Sequence, residues 1–207
     1  MKKVLVTQRV ERITDYAETR DCLDQRWVEL LMLAGVFPVL VPNNTQFLDY
    51  VDFNQLDGIL LTGGNSLVKH GGNSPERDAL ERKLLAKAIK FGKPVLGVCR
   101  GMQLIADYFG CDYRLVSGQI NIRHELKVNP ESRYLDHLHK HKSVNTFHSV
   151  TVENFSNEIK ISAHSDTGFV KAIEHKVLPI FGHMWHPERE APFSDIDTSF
   201  FNSFFCG

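Results

Sequence analysis

The stretch Pro94-Val95-Leu96-Gly97-Val98-Cys99-Arg100-Gly101-Met102-Gln103-Leu104 decides how the rest of the chain is read. Val95 to Val98 is a short apolar run of the kind that forms a fully buried strand. Met102, Ile105, Ala106 and Phe109 then recur at helical spacing, so a sharp turn must fall at Cys99. Gly97 and Gly101 flank the cysteine symmetrically, giving Gly-x-Cys-x-Gly. So tight a turn strains its central residue and brings backbone too close for side chains on either flank. It is the cysteine counterpart of the nucleophile elbow, with a helix N-terminus just beyond the nucleophile. Backbone amides and the helix dipole at that place favour a thiolate over a thiol. Taken alone, the stretch also fits a buried structural cysteine at a strand-to-helix corner.

A second stretch, Phe181-Gly182-His183-Met184-Trp185-His186-Pro187-Glu188, places His186 two residues before Glu188 at the end of an apolar run. A cysteine nucleophile needs a base within hydrogen-bond reach, and the base needs a third group to fix its tautomer. Pro187 stiffens the link, so the Glu188 carboxylate can sit behind the His186 imidazole. Gly-x-Cys-x-Gly-x-Gln followed by Trp-His-Pro-Glu resembles the class I glutamine amidotransferase family. Within it, the chain is most similar to the gamma-glutamyl hydrolase branch, peptidase C26-like, from the first strand to the last helix.

The remaining chain reads as an α/β fold. Val4-Leu5-Val6, Pro38 to Val41 and Gly58 to Leu61 are short buried strands. Leu23, Trp27, Leu30, Leu31 and Ala34 mark a helix ended by Gly35, and Leu80 to Ile89 a second one stopped by Gly92. Strands alternating with helices at this pitch predict a mostly parallel central sheet flanked by helices, with ligands at the carboxyl ends of its strands. The resemblance implies a flavodoxin-like three-layer arrangement. From Tyr113 to Phe181 helical spacing fades and short alternating segments predict a strand-rich C-terminal half, with Asp166-Thr167-Gly168 as a turn. No linker composition divides the 207 residues, so one domain spanning 1–207 is expected. Phe200, Phe201, Phe204 and Phe205 at helical spacing read as core packing.

A net charge of −1 gives no general pull toward nucleic acid or membrane. Four cysteines without Cys-x-x-Cys spacing suit a reducing cytosol. No signal peptide and no uninterrupted apolar span is evident, and a soluble, cytoplasmic protein is expected.

Thr62-Gly63-Gly64-Asn65 follows the third strand and on its own is a tight turn. The resemblance implies a backbone donor loop instead, with the amides of Gly64 and Arg100 as the oxyanion hole. It also implies that Gly63, Gln103, Asn145, Thr146, Phe147 and His148 line the glutamyl pocket. His148 read by itself is equally a half-buried strand histidine satisfied by backbone. Arg77 and Asp78 are expected to support the active-site loop. Arg9 and Arg12, with Arg20 and Lys69, can supply cations to an anionic leaving portion, although a solvated surface is the plainer reading. His137, His139 and His141, following His124, could bind zinc if a strand presented them on one face. The resemblance implies no metal and no cofactor, and a loop over the active-site mouth is the favoured reading of that segment.

The implied chemistry is cysteine-dependent hydrolysis of a gamma-glutamyl amide through a glutamyl thioester. The products are L-glutamate and an amine or amidate. The compact layout is similar to bacterial hydrolases of gamma-glutamyl-CDP-amidate, which serve phosphoramidate decoration of capsular sugars. Gamma-glutamyl-GABA is the other candidate substrate. A small-molecule partner is therefore expected, and a homodimer stays open. A glutaminase subunit feeding ammonia to a separate synthase partner is the alternative. A catalytically idle binding protein of the same fold is a third, against which the intact Cys99, His186 and Glu188 set argues.

Overall fold

The computed structural model describes residues 1–207, apart from the side chain of Cys206. The chain opens with β1 (Lys2–Val6), a hairpin of β2 (Arg9–Ile13) and β3 (Glu18–Cys22), then α1 (Gln25–Leu33) and β4 (Val36–Leu40). β5 (Gly58–Leu61), α2 (Pro75–Lys90), β6 (Val95–Val98) and α3 (Arg100–Tyr108) complete the first half. The second half runs through β7 (Asp112–Leu115), β8 (Ile120–His124), β9 (Leu126–Val128), α4 (Leu135–Leu138), β10 (Val144–Phe147) and β11 (Val150–Glu153). β12 (Ile159–Ser165), β13 (Val170–His175), β14 (Ile180–His183) and α5 (Asp195–Cys206) close it.

Eight strands form one sheet in the order β4-β1-β5-β6-β14-β13-β12-β9. The five from β4 to β14 run parallel, and β13, β12 and β9 extend the sheet antiparallel. Every residue of β5, β6 and β14 is buried, the expected state of parallel strands covered on both faces. α1 and α5 pack on each other and against β4, while α2 and α3 pack together over β5 and β6. Phe200, Phe201 and Phe205 of α5 belong to the core. The chain moves from β1 outward to β4 and then returns to β5 on the other side of β1. That reversal creates a switch point at the carboxyl ends of the central strands, where open α/β sheets hold their ligands.

Two local features depart from the sequence reading. The hairpin Arg9–Cys22 stands where no element is predicted, because its strands are mostly exposed and carry no apolar alternation. Asp136–His141 does not form a loop over the active-site mouth. Leu135 and Leu138 start a short helix whose Leu138 is fully buried, which carries His137 onto Phe200 and His141 against Trp185. His139 is exposed, and His124 bonds Asp166 and Gln119. Cys22, Cys99 and Cys111 are free thiols, and Cys206 lies outside the described side chains. Among the described residues no helix is long and apolar enough to cross a membrane.

Candidate active site

Cys99 leaves β6 with φ +50° and ψ −102°, a left-handed backbone that a non-glycine residue adopts only when its surroundings impose it. The cause is close packing of strand, turn and helix. A Cβ on Gly97 would lie 2.6 Å from the Gly101 carbonyl carbon and from Ile105 Cδ1, and one on Gly101 would strike the Leu61 carbonyl. The two glycines let α3 start directly against β5 and β6. Arg100 is the first residue of α3, so its amide is one of the donors a helix N-terminus leaves without an intrahelical partner.

His186 follows β14, the strand beside β6, and shares one cavity with Cys99. Its Nδ1 lies 2.6 Å from Glu188 Oε1, which leaves Nε2 as the nitrogen available for chemistry. Nε2 is buried and meets no hydrogen-bond acceptor or donor among the described residues. Catalytic contacts of this kind commonly close only when substrate is bound. Burial works against charging His186, but the Cys99 thiolate and Glu188 outweigh it and raise its pKa to about 9. A thiolate–imidazolium pair is the state this environment favours.

Three groups hold the imidazole in place. Asn145 brackets the backbone of His186, accepting from its N–H at 2.8 Å and donating to its carbonyl at 2.8 Å. The same Asn145 amide donates to Glu190 at 2.8 Å, and Arg26 donates to the carbonyls of Glu188 and Glu190. Phe147 meets the imidazole edge-on at 5.8 Å.

The Gly63-Gly64 turn faces Cys99 from the end of β5. Thr62 and Thr7 lock the strand ends together through bonds of 3.0 and 2.8 Å. Arg77, fully buried, donates to the carbonyls of Thr62, Gly63 and Gly64 at 2.8, 3.0 and 2.9 Å. With those carbonyls drawn toward α2, Gly64 at φ +80° lines the cavity that holds Cys99. Glu81 pairs with Arg77 at 2.9 Å and also with Arg100, which reaches Asp78 as well. Burial alone would raise the Glu81 pKa, but the two guanidinium groups hold it below the usual carboxylate value. The Arg100 side chain is thus committed to the scaffold while its backbone faces the site.

The cavity at Cys99 measures about 260 Å3 and includes Gly64, Gln103, Phe147, His148 and His186 in its wall. Asn145 and Thr146 stand behind that wall. Asn145 holds His186, and Thr146 accepts from Lys171 at 3.0 Å. Gly63 lies beneath the imidazole, where a Cβ would come within 2.7 Å of Cε1. Arg12 is drawn away from the site to Asn73 and Glu76, and Arg20 and Lys69 pair with Glu18 and Asp107. Arg9 stays beside Gly64, in a second cleft that also reaches His186.

Two cations escape the sequence reading. Arg189 lines both clefts and lies over the Phe147 ring at 4.5 Å. Its only signal is its position directly after Glu188. Lys171 is fully buried on β13, 3.1 Å from His148 Nε2. Burial lowers the Lys171 pKa to about 8, and burial with the nearby Lys171 drives His148 down to about 3, so His148 is neutral. A lone lysine in the buried run Val170 to Ile173 is the visible clue.

Comparison with known proteins gives a consistent picture. A family model described as Peptidase C26 matches residues 4–188. Gamma-glutamyl-CDP-amidate hydrolase of Campylobacter jejuni is 29% identical over 195 residues, covering 92% of each chain. One chain of the glutamine-hydrolyzing GMP synthase of Pyrococcus furiosus is 32% identical over 166 residues, covering 76% of this chain and 79% of its own. The crystal structure of a GMP synthase chain from Thermoplasma acidophilum superposes with a TM-score of 0.72 at 24% identity. It covers all of this chain and 93% of its own, a likeness of fold.

Proposed function

Because the chain belongs to the peptidase C26 family of class I glutamine amidotransferase-like proteins, we propose that it is a cysteine-dependent hydrolase of gamma-glutamyl amides. The observation that carries this reading is the cavity shared by Cys99 at its left-handed turn and His186 fixed by Glu188 at 2.6 Å. The Cys99 thiolate attacks the gamma-carbonyl carbon, and the amides of Gly64 and Arg100 hold the developing oxyanion. His186, carrying the proton taken from the thiol, passes it to the leaving nitrogen as the C–N bond breaks. A water then gives its proton to His186 and attacks the thioester, the C–S bond breaks, and glutamate departs. Gln103 and His148 supply polar groups to the glutamyl end, and Asn145 acts through His186 as a positioning residue.

The leaving group must extend past Gly64 toward Arg9 and Arg189, both partly exposed at the mouth. Two guanidinium groups suit an anionic, phosphate-bearing portion. That supports gamma-glutamyl-CDP-amidate over gamma-glutamyl-GABA as substrate, in line with the Campylobacter jejuni relative. The second reading, a glutaminase subunit delivering ammonia to a separate synthase, is favoured by the Pyrococcus furiosus relative.

The discriminating experiment is glutamate release by the chain alone from L-glutamine, gamma-glutamyl-GABA, a gamma-glutamyl dipeptide and gamma-glutamyl-CDP-amidate. Fast turnover of one gamma-glutamyl amide, lost in Cys99→Ala, is expected. Slow turnover of glutamine alone would transfer the case to the glutaminase reading.

A further inference from the structure

Away from the Cys99 cavity, His137, His141 and Asp197 converge between the α4 segment and the first turn of α5. Each offers a ligand atom, and these atoms all lie within 4.8 Å of one another. His137 Nε2 and His141 Nε2 face each other at 3.3 Å, and His141 Nε2 lies 3.5 Å from Asp197 Oδ1. Both separations are long for hydrogen bonds, whose heavy-atom distances centre near about 2.9 Å. They match the edges of a tetrahedron instead. Ligand bonds of about 2.0–2.2 Å to zinc at tetrahedral angles put neighbouring ligand atoms about 3.3–3.5 Å apart.

The rings and the carboxylate are held in these orientations from outside. His137 stacks on Phe200 at 3.9 Å and 14°, and His141 packs against Trp185 at 5.3 Å. Trp185 Nε1 donates to Asp197 Oδ1 at 3.2 Å, the kind of outer hydrogen bond that orients a metal-bound carboxylate. Burial lowers His137 to about 3 and His141 to about 4, so both imidazoles are neutral at neutral pH and keep a lone pair. The site also has an approach from solvent. One surface cleft is lined by His141 and Asp197, another by His137 and Asp195. A fourth position is thereby left for water.

We infer that His137 Nε2, His141 Nε2 and the Asp197 carboxylate form a binding site for a divalent transition-metal ion of the zinc class. Two imidazoles with one carboxylate select such ions over calcium or magnesium, which take all-oxygen ligand sets. The pairing arises from helical i, i+4 spacing in the chain segment and a third ligand far along the sequence. The alternation of a strand plays no part. The ion would tie the α4 segment to α5 and brace Trp185, the residue before His186. It has no role in the amide chemistry, and the site stands whether or not the proposed hydrolase activity does.

The test is cobalt and zinc titration of the full chain without a polyhistidine tag, in a Cys99→Ala background that removes the competing thiolate. One equivalent of Co2+ should produce the visible d–d absorption of a four-coordinate ion without a sulfur charge-transfer band, and Zn2+ should displace it. The same spectrum should vanish in His141→Ala and weaken at least tenfold in apparent affinity in Asp197→Asn. Zinc should raise the melting temperature of the wild-type chain and leave that of His141→Ala unmoved. Absence of the d–d bands, a thiolate charge-transfer band, or a spectrum unchanged in His141→Ala and Asp197→Asn would each overturn the assignment. If His141→Ala does not fold, the Cys99→Ala titration and Asp197→Asn still decide it.

Discussion

Replacing Gly63 by alanine puts the assignment of His186 under the sharpest strain. Gly63 is not among the residues with left-handed backbone, so an alanine there meets no conformational penalty of that kind. The added methyl, however, would sit 2.7 Å from His186 Cε1 and 3.4 Å from Nδ1. Carbon atoms pack at about 3.5–4.0 Å, so the imidazole must retreat by about 1 Å. It cannot do so freely, because Glu188 holds Nδ1 at 2.6 Å and Phe147 stands edge-on at 5.8 Å. A displacement of about 1 Å at a reacting group costs on the order of 100-fold in rate, which corresponds to about 2.7 kcal/mol of barrier. Overpacking should lower stability by about 1–3 kcal/mol, which leaves the chain folded. The assay is steady-state glutamate release, with circular dichroism to confirm folding. The rate of Cys99 alkylation by iodoacetamide gives a substrate-independent readout, and it should fall in parallel because the shifted imidazole no longer supports the thiolate. A folded Gly63→Ala chain with kcat/KM within about threefold of wild type would refute the placement of His186 as acid and base.

Further expectations follow from the same contacts. His186 has a folded pKa of about 9, above its unfolded value of about 6.5. Its imidazolium therefore stabilises the fold fully below about pH 6.5, and that contribution is lost as pH rises through about 9. Urea melts of wild type against His186→Gln should show the gap narrowing across that window, and a constant gap would contradict the pairing. Arg77→Met leaves Glu81 without one partner and frees three loop carbonyls, so a loss of about 3–5 kcal/mol in urea unfolding is expected. Arg189→Ala should raise KM for a phosphate-bearing gamma-glutamyl amide by about two- to fivefold, the scale of a partly exposed charge contact, and leave glutamine unaffected. Equal effects on both substrates would remove Arg189 from leaving-group recognition.

Much of the fold and of the site is legible in the chain itself. β5 and β6 coincide with the apolar runs Gly58–Leu61 and Val95–Val98, because a strand buried on both faces has only one way to look in sequence. The turn at Cys99 is legible because glycine on both flanks answers a steric demand that the Gly97 and Gly101 contacts make explicit. What escapes notice is set by partners remote in sequence. Asn145 can be placed near the site by resemblance, but its grip on His186 spans 41 residues. Arg12 and Arg9 read alike as exposed basic residues, and only the hairpin geometry turns Arg12 onto Glu76 and leaves Arg9 beside Gly64. The histidine segment suggests a strand period, whereas buried Leu138 makes it helical and pairs His137 with His141.

The covalent role of Cys99 is the point on which everything else depends. Acid quenching of the wild-type chain during turnover of a gamma-glutamyl amide, followed by peptide mass spectrometry, reads it directly. A glutamyl adduct on the peptide carrying Cys99, absent from Cys99→Ala and from unreacted protein, is the predicted result. Continued glutamate release by Cys99→Ala, with no adduct on the wild-type cysteine, would contradict it.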